Sequence, residues 1–168
     1  LYEGHRAIWM RSFDLAKRQP DGPRKVLING GVDLSKKPIW IEGPHLYKRD
    51  GWYYLVCAEG GTGPDHSQVV LRSRSVWGPY APYERNPILT QRELPADRPD
   101  PIANAGHADI VDAIDGSWWA VFLASRETDS PGELGRRGAG GALFVSMAPV
   151  SGSVWDASRA LASLRLDY

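Results

Sequence analysis

Ile41-Glu42-Gly43-Pro44-His45-Leu46-Tyr47-Lys48-Arg49-Asp50-Gly51-Trp52-Tyr53-Tyr54-Leu55-Val56-Cys57-Ala58-Glu59-Gly60-Gly61-Thr62 is the stretch on which the fold reading turns. Two runs rich in apolar and aromatic residues flank an Asp-Gly pair. That arrangement is the strongest short-range signal for a β-hairpin. A second stretch follows the same plan: Gly106-His107-Ala108-Asp109-Ile110-Val111, then Asp115-Gly116-Ser117-Trp118-Trp119. It begins 63 residues after the first, 106 minus 43. A unit of short strands recurring at such a period reads as a blade of a β-propeller. One blade cannot bury both of its faces, so neighbours stack round an axis. A propeller takes about 4–8 blades and this chain holds roughly two and a half, so it reads as part of one.

Outward from these two units, further strands are predicted at residues 9–13, 24–28, 68–73, 108–113, 117–124 and 141–146. Asn29-Gly30-Gly31 and Trp77-Gly78-Pro79-Tyr80 supply turn chemistry at two of their ends. Residues 83–105 are rich in Pro, Asp, Arg and Asn. They read as a long connection between blades, of the kind that covers a binding face, or as a plain surface linker. A helix is expected only at residues 156–166. The fold class is therefore all-β, with antiparallel blades.

Composition narrows the function classes. Hydrophobic residues make up 42% of 168, enough for a packed core without disulfides. Lys+Arg and Asp+Glu are 20 each, and this balance argues against a nucleic-acid surface. No apolar run reaches the roughly 18 residues that a membrane helix needs. The one cysteine, Cys57, lies in an apolar run and reads as a buried structural thiol. It excludes an internal disulfide and a multi-cysteine zinc site. The sequence opens on Leu1 rather than Met and shows no signal segment, so either a leader was removed or the chain is a fragment. The lone cysteine and the missing leader lean towards the cytoplasm and leave the compartment open. Seven tryptophans read individually as core, although exposed aromatic faces also stack on sugar rings.

Several residues could carry chemistry. Glu42 follows the apolar approach Pro38-Ile39-Trp40-Ile41 and precedes a Gly-Pro turn. Such a setting partly desolvates a carboxyl, and desolvation favours the protonated form a general acid needs. A solvated surface charge is the plainer reading. Glu59 precedes Gly60-Gly61, where backbone approaches closely, or it simply ends a strand. His45, His66 and His107, taken singly, read as structural hydrogen-bonding residues. No HExxH, EF-hand loop, GxSxG elbow or phosphate-binding loop is present. Gly106-His107 and Trp155-Asp156 are 49 residues apart, 155 minus 106, too far for a WD40 repeat of about 40–45.

Together these segments resemble glycoside hydrolase family 43 enzymes of the β-xylosidase/α-L-arabinofuranosidase type. The likeness is carried by Ile41 to Lys48, Gly51-Trp52-Tyr53-Tyr54-Leu55, Ala58-Glu59-Gly60-Gly61-Thr62 and Arg72-Ser73. It continues through Gly78-Pro79-Tyr80, Asn86-Pro87-Ile88-Leu89-Thr90, Gly106 to Val111 and Trp118-Trp119, roughly residues 5–126. The resemblance implies a five-bladed β-propeller of four-stranded antiparallel blades. It implies inverting, exo-type hydrolysis of xylo-oligosaccharides or arabinofuranosides, without separating the two. Glu42 then matches the general acid, Thr62 a residue of the sugar pocket, and His107 the axial histidine beneath the sugar. No cofactor is required, and in some relatives that histidine contacts a calcium ion (Ca2+) through water. Arg136, in Leu134-Gly135-Arg136, matches an arginine that faces the substrate.

The chain also departs from the family. The catalytic-base Asp and the Asp that tunes the acid both fall upstream of the pattern present here. Asp14 and Asp33 do not match them. After Arg136 the chain reads Arg137-Gly138-Ala139-Gly140-Gly141 and the likeness stops. The expectation is thus a partial family 43 propeller domain over residues 1–135 with a diverged tail over 136–168. It would be an incomplete fragment lacking the base, and the oligomeric state is left unassigned. The alternative is a catalytically inactive carbohydrate-binding or interaction propeller.

Overall fold

A computed structural model describes residues 1–35, 40–92, 94–95, 102–126 and 142–150, with backbone alone for Asp112, Arg126 and 142–150. The described residues form ten strands and no helix. β1 (Ala7–Asp14) and β2 (Gln19–Asn29) make an antiparallel hairpin. β3 (Glu42–Arg49), β4 (Trp52–Glu59), β5 (Ser67–Ser73) and β6 (Ala81–Pro82) follow in order across a central sheet, and β7 (Leu89–Thr90) also pairs with β5. β8 (Ile102–Asp112), β9 (Trp118–Arg126) and β10 (Ala142–Val150) form a third antiparallel sheet.

The central sheet is covered on both faces, which is why β4 reads as an unbroken apolar run. Tyr54 and Val56 face the third sheet, in a cluster with Val70, Ile88, Leu89, Ile110 and Phe122. Leu55 and Cys57 face the first hairpin, in a cluster with Ile8, Ile28, Ile41, Val69 and Leu71. Cys57 is fully buried, as expected, and burial pushes its thiol up to about 12, with the Glu59 charge adding to the rise. Ala105, Ala108, Ala120 and Ala124 are small enough for the third sheet to approach the second closely.

The two Asp-Gly pairs make different turns. Arg49 pairs with Trp52, and Asp50 and Gly51 both have positive φ, 50° and 73°. That is the two-residue turn whose twist matches its strands. Asp112 pairs with Trp118 instead, leaving a five-residue loop (113–117). There only Gly116 is left-handed, at 78°, and the Asp115 carboxylate accepts the Ser117 N–H at 2.9 Å.

Residues 83–105 are more than a connection. Asn86 behaves like a stretch of backbone: it accepts from Val70 N and donates to Val70 O, both at 2.9 Å. Ile88 N donates to Gln68 O at 2.8 Å, β7 extends that edge, and β8 already begins at Ile102. The single-residue reading of tryptophan as core holds for Trp118, 9% exposed, and fails for Trp9 and Trp40, at 43% and 59%. The helix expected at 156–166 lies outside the described residues.

Candidate functional site

Glu42 opens β3, opposite Ala58 near the end of β4, so its carboxylate sits at one end of the central sheet. A bulge between Glu42 and His45 breaks the ladder there. Gly43 takes φ +55°, a conformation that glycine adopts without steric cost. Its missing side chain also makes room: a Cβ on Gly43 would lie 2.5 Å from His107 Nε2. The third sheet delivers His107 by its own irregularity. β8 shifts register on both sides of Gly106, and His107 and Asn104 have φ of 54° and 55°.

A second histidine returns the contact. Buried His66 lies just before β5, and a Cβ on Gly106 would lie 2.7 Å from its ring. His66 Nδ1 is 2.6 Å from Asn104 O. Burial holds its imidazole below the ordinary value. The Asn104 carbonyl opposes that fall, the His107 charge adds to it, and the Glu42 charge opposes it. The expectation of a structural histidine is thus met at His66, whose electrostatic neighbours include both Glu42 and His107.

Below this level the sheets are laced together by polar groups. Gln68 donates to Ala108 O at 3.2 Å and accepts from Ala108 N at 2.9 Å, in place of a strand ladder. Tyr47 Oη donates to Asp109 and accepts from Ile110 N at 2.8 Å. Burial, then the bond to Asp109, pushes the Tyr47 phenol above its ordinary value.

An open cleft of about 490 Å³ contains Glu42 and is lined by Arg6, Trp9, Ile41, Gly43 and Pro44 among others. The Glu42 side chain is about one-third exposed, the partial burial expected of it, and its Oε2 is 2.6 Å from Arg6 Nη1. Sequence reasoning missed Arg6: it lies 36 residues away and no spacing rule links the two. Thr62 is exposed in the loop after β4, at the same end of the sheet as Glu42. Glu59 is buried and does not face the cleft as a free carboxylate; its Oε1 accepts the Val32 N–H at 2.8 Å. Arg136 lies outside the described residues. Among the described residues no group of three or more His, Cys, Asp or Glu side chains could hold a metal ion.

The sequence model for glycosyl hydrolases family 43 matches residues 1–139. A xylosidase/arabinosidase of Butyrivibrio fibrisolvens is 44% identical over 135 residues, covering 80% of this chain and 25% of the relative. Xylosidase/arabinosidase 43B of Humicola insolens is 44% identical over 128 residues, covering 76% and 22%. The crystal structure of a GH43_12 protein retrieved from capybara gut metagenome superposes with a TM-score of 0.73 at 44% identity, over 91% of this chain and 26% of that one. The chain spans about a quarter of the length of the curated relatives it matches.

Proposed function

This chain belongs to glycosyl hydrolases family 43, and on that premise we propose that it supplies the general-acid side of an inverting, exo-acting glycosidase for xylo-oligosaccharides or arabinofuranosides. The observation that carries the reading is Glu42 at a blade end, in an open cleft, with His107 seated beside it on Gly43. Glu42 delivers its proton to the departing glycosidic oxygen. A water attacks from the opposite face of the sugar, activated by a carboxylate about 6.5–9.5 Å from the acid. That base is assigned to no residue of this sequence. His107 and Thr62 shape the pocket for the sugar being released.

The test is a hybrid enzyme in which this chain replaces the matching segment of the Butyrivibrio relative. Hydrolysis of xylobiose and of arabinofuranosides should persist. Glu42→Ala should lower turnover of xylobiose about 10²–10⁴-fold. The loss should shrink for an aryl xyloside whose leaving group departs without protonation. A folded hybrid indifferent to Glu42→Ala would remove Glu42 from the role. A folded hybrid that binds xylobiose without hydrolysing it would favour the non-catalytic carbohydrate-binding propeller.

A further inference from the structure

Arg6 immediately precedes β1, and three contacts fix it. Its Nη1 lies 2.6 Å from Glu42 Oε2. Its guanidinium carbon lies 3.9 Å from the centre of the Trp40 ring. Its main-chain oxygen accepts the Gly30 N–H at 2.7 Å. The turn that follows Gly30 is itself anchored, through Val32 N, to buried Glu59.

Stability does not account for this arrangement. Both side chains are more than a third exposed to water, 40% and 34% by side chain, and an ion pair that open is screened and contributes little. Its effect lies in geometry. An arginine presents rigid, planar donors, and an aromatic ring beneath them fixes the plane.

We infer that Arg6 is a positioning residue for Glu42: it holds Oε2 and leaves Oε1 to carry the proton to the leaving oxygen. While Oε1 is protonated, Oε2 is a neutral acceptor. As the proton leaves, the same contact meets a full carboxylate charge and becomes an ion pair with charge on both partners. An interaction that strengthens along the reaction coordinate speeds the step rather than merely tightening binding. The inference rests on the reading of Glu42 as the acid.

The experiment uses the hybrid described above together with the intact 168-residue chain. Arg6→Ala should lower kcat/KM on xylobiose by up to about 100-fold, the scale of an ångström-sized misplacement. It should change turnover of the activated aryl xyloside by less than about threefold, because that substrate needs no proton. In a Glu42→Ala background, Arg6→Ala should add less than about twofold, since the partner through which it acts is gone. Arg6→Lys, which keeps the charge and loses the planar fork, should fall between Arg6→Ala and the parent. In the 168-residue chain, the Arg6 side-chain N–H resonance should shift on Glu42→Gln. Equal losses on both substrates, an undiminished loss in the Glu42→Ala background, or an unmoved resonance would each overturn the inference and leave the Glu42 reading standing. If Glu42→Ala itself had no effect, that reading would fall first, and the inference with it.

Discussion

The central sheet and the third sheet begin with the same sequence unit and use it in opposite ways. In the central sheet the residue before the glycine, Glu42, is the proposed acid, and Gly43 is the seat on which His107 rests. In the third sheet the residue after the glycine, His107, is the one proposed to line the sugar pocket, and Gly106 is the seat for His66. Each sheet therefore lends a histidine to the other's glycine. The difference arises in the backbone. The central sheet has one irregularity, between Glu42 and His45, whereas β8 has two, with Asn104 and His107 both left-handed. A repeat in sequence thus reproduces strands and hairpins, while local bulges decide which side chain meets the neighbouring sheet.

The comparison breaks most sharply at the chemistry. Glu42→Ala, with its expected 10²–10⁴-fold loss on xylobiose in the hybrid, is the largest effect. Next is Gln68→Leu, which leaves the Ala108 N–H and C=O buried without their side-chain partner. Urea unfolding of the 168-residue chain should show a cost of about 1–3 kcal/mol.

Gly106→Ala should follow at about 1–3 kcal/mol, because its Cβ meets a fully buried imidazole that cannot move aside. Gly43→Ala meets the exposed His107 and adds backbone strain of about 1–2 kcal/mol. The two therefore differ in kind: Gly43→Ala should cost the hybrid more activity than its urea midpoint explains. Equal behaviour of the two variants would mean that the seats are not reciprocal. Tyr47→Phe should cost about 0.5–1.5 kcal/mol in the same unfolding experiment, since its partner Asp109 remains reachable by water.

The smallest expected effect concerns Glu59. Burial raises its carboxyl above the ordinary value. The Val32 N–H and the Arg92 charge act the other way, and the Asp33 charge adds to the rise. With the folded value above the unfolded one, the folded state holds the proton longer. The Glu59 contribution to stability therefore falls as pH rises from about 4 through the folded value. Glu59→Gln does not titrate. Its Tm relative to the parent should climb between about pH 4 and pH 7, and a flat difference would show that desolvation of Glu59 does not govern this window.

Much of the fold was legible in the sequence. The strands predicted at 9–13, 24–28, 68–73, 108–113 and 117–124 all lie within or overlap observed strands, and the strand expected at 141–146 overlaps β10. The Asp-Gly pairs marked both hairpins. The short edge strand β7 was not legible, because a two-residue strand carries no period and is held by Asn86, whose side chain imitates a peptide. Trp9 and Trp40 were misread as core. Burial depends on which sheet faces a residue, and a single aromatic position does not encode that.

The candidate site divides along the same line. Local order determined Glu42, Gly43 and the hairpin that follows, because alternation and turn chemistry act over a few residues. The repeat at 63 residues determined that a second unit would stand beside the first. Tertiary structure alone decided that Arg6 meets Glu42, that His107 rests on Gly43 and that His66 rests on Gly106. Those contacts join residues tens of positions apart. They depend on how two bulged sheets dock, and that is set by packing against neighbours rather than by any period along the chain.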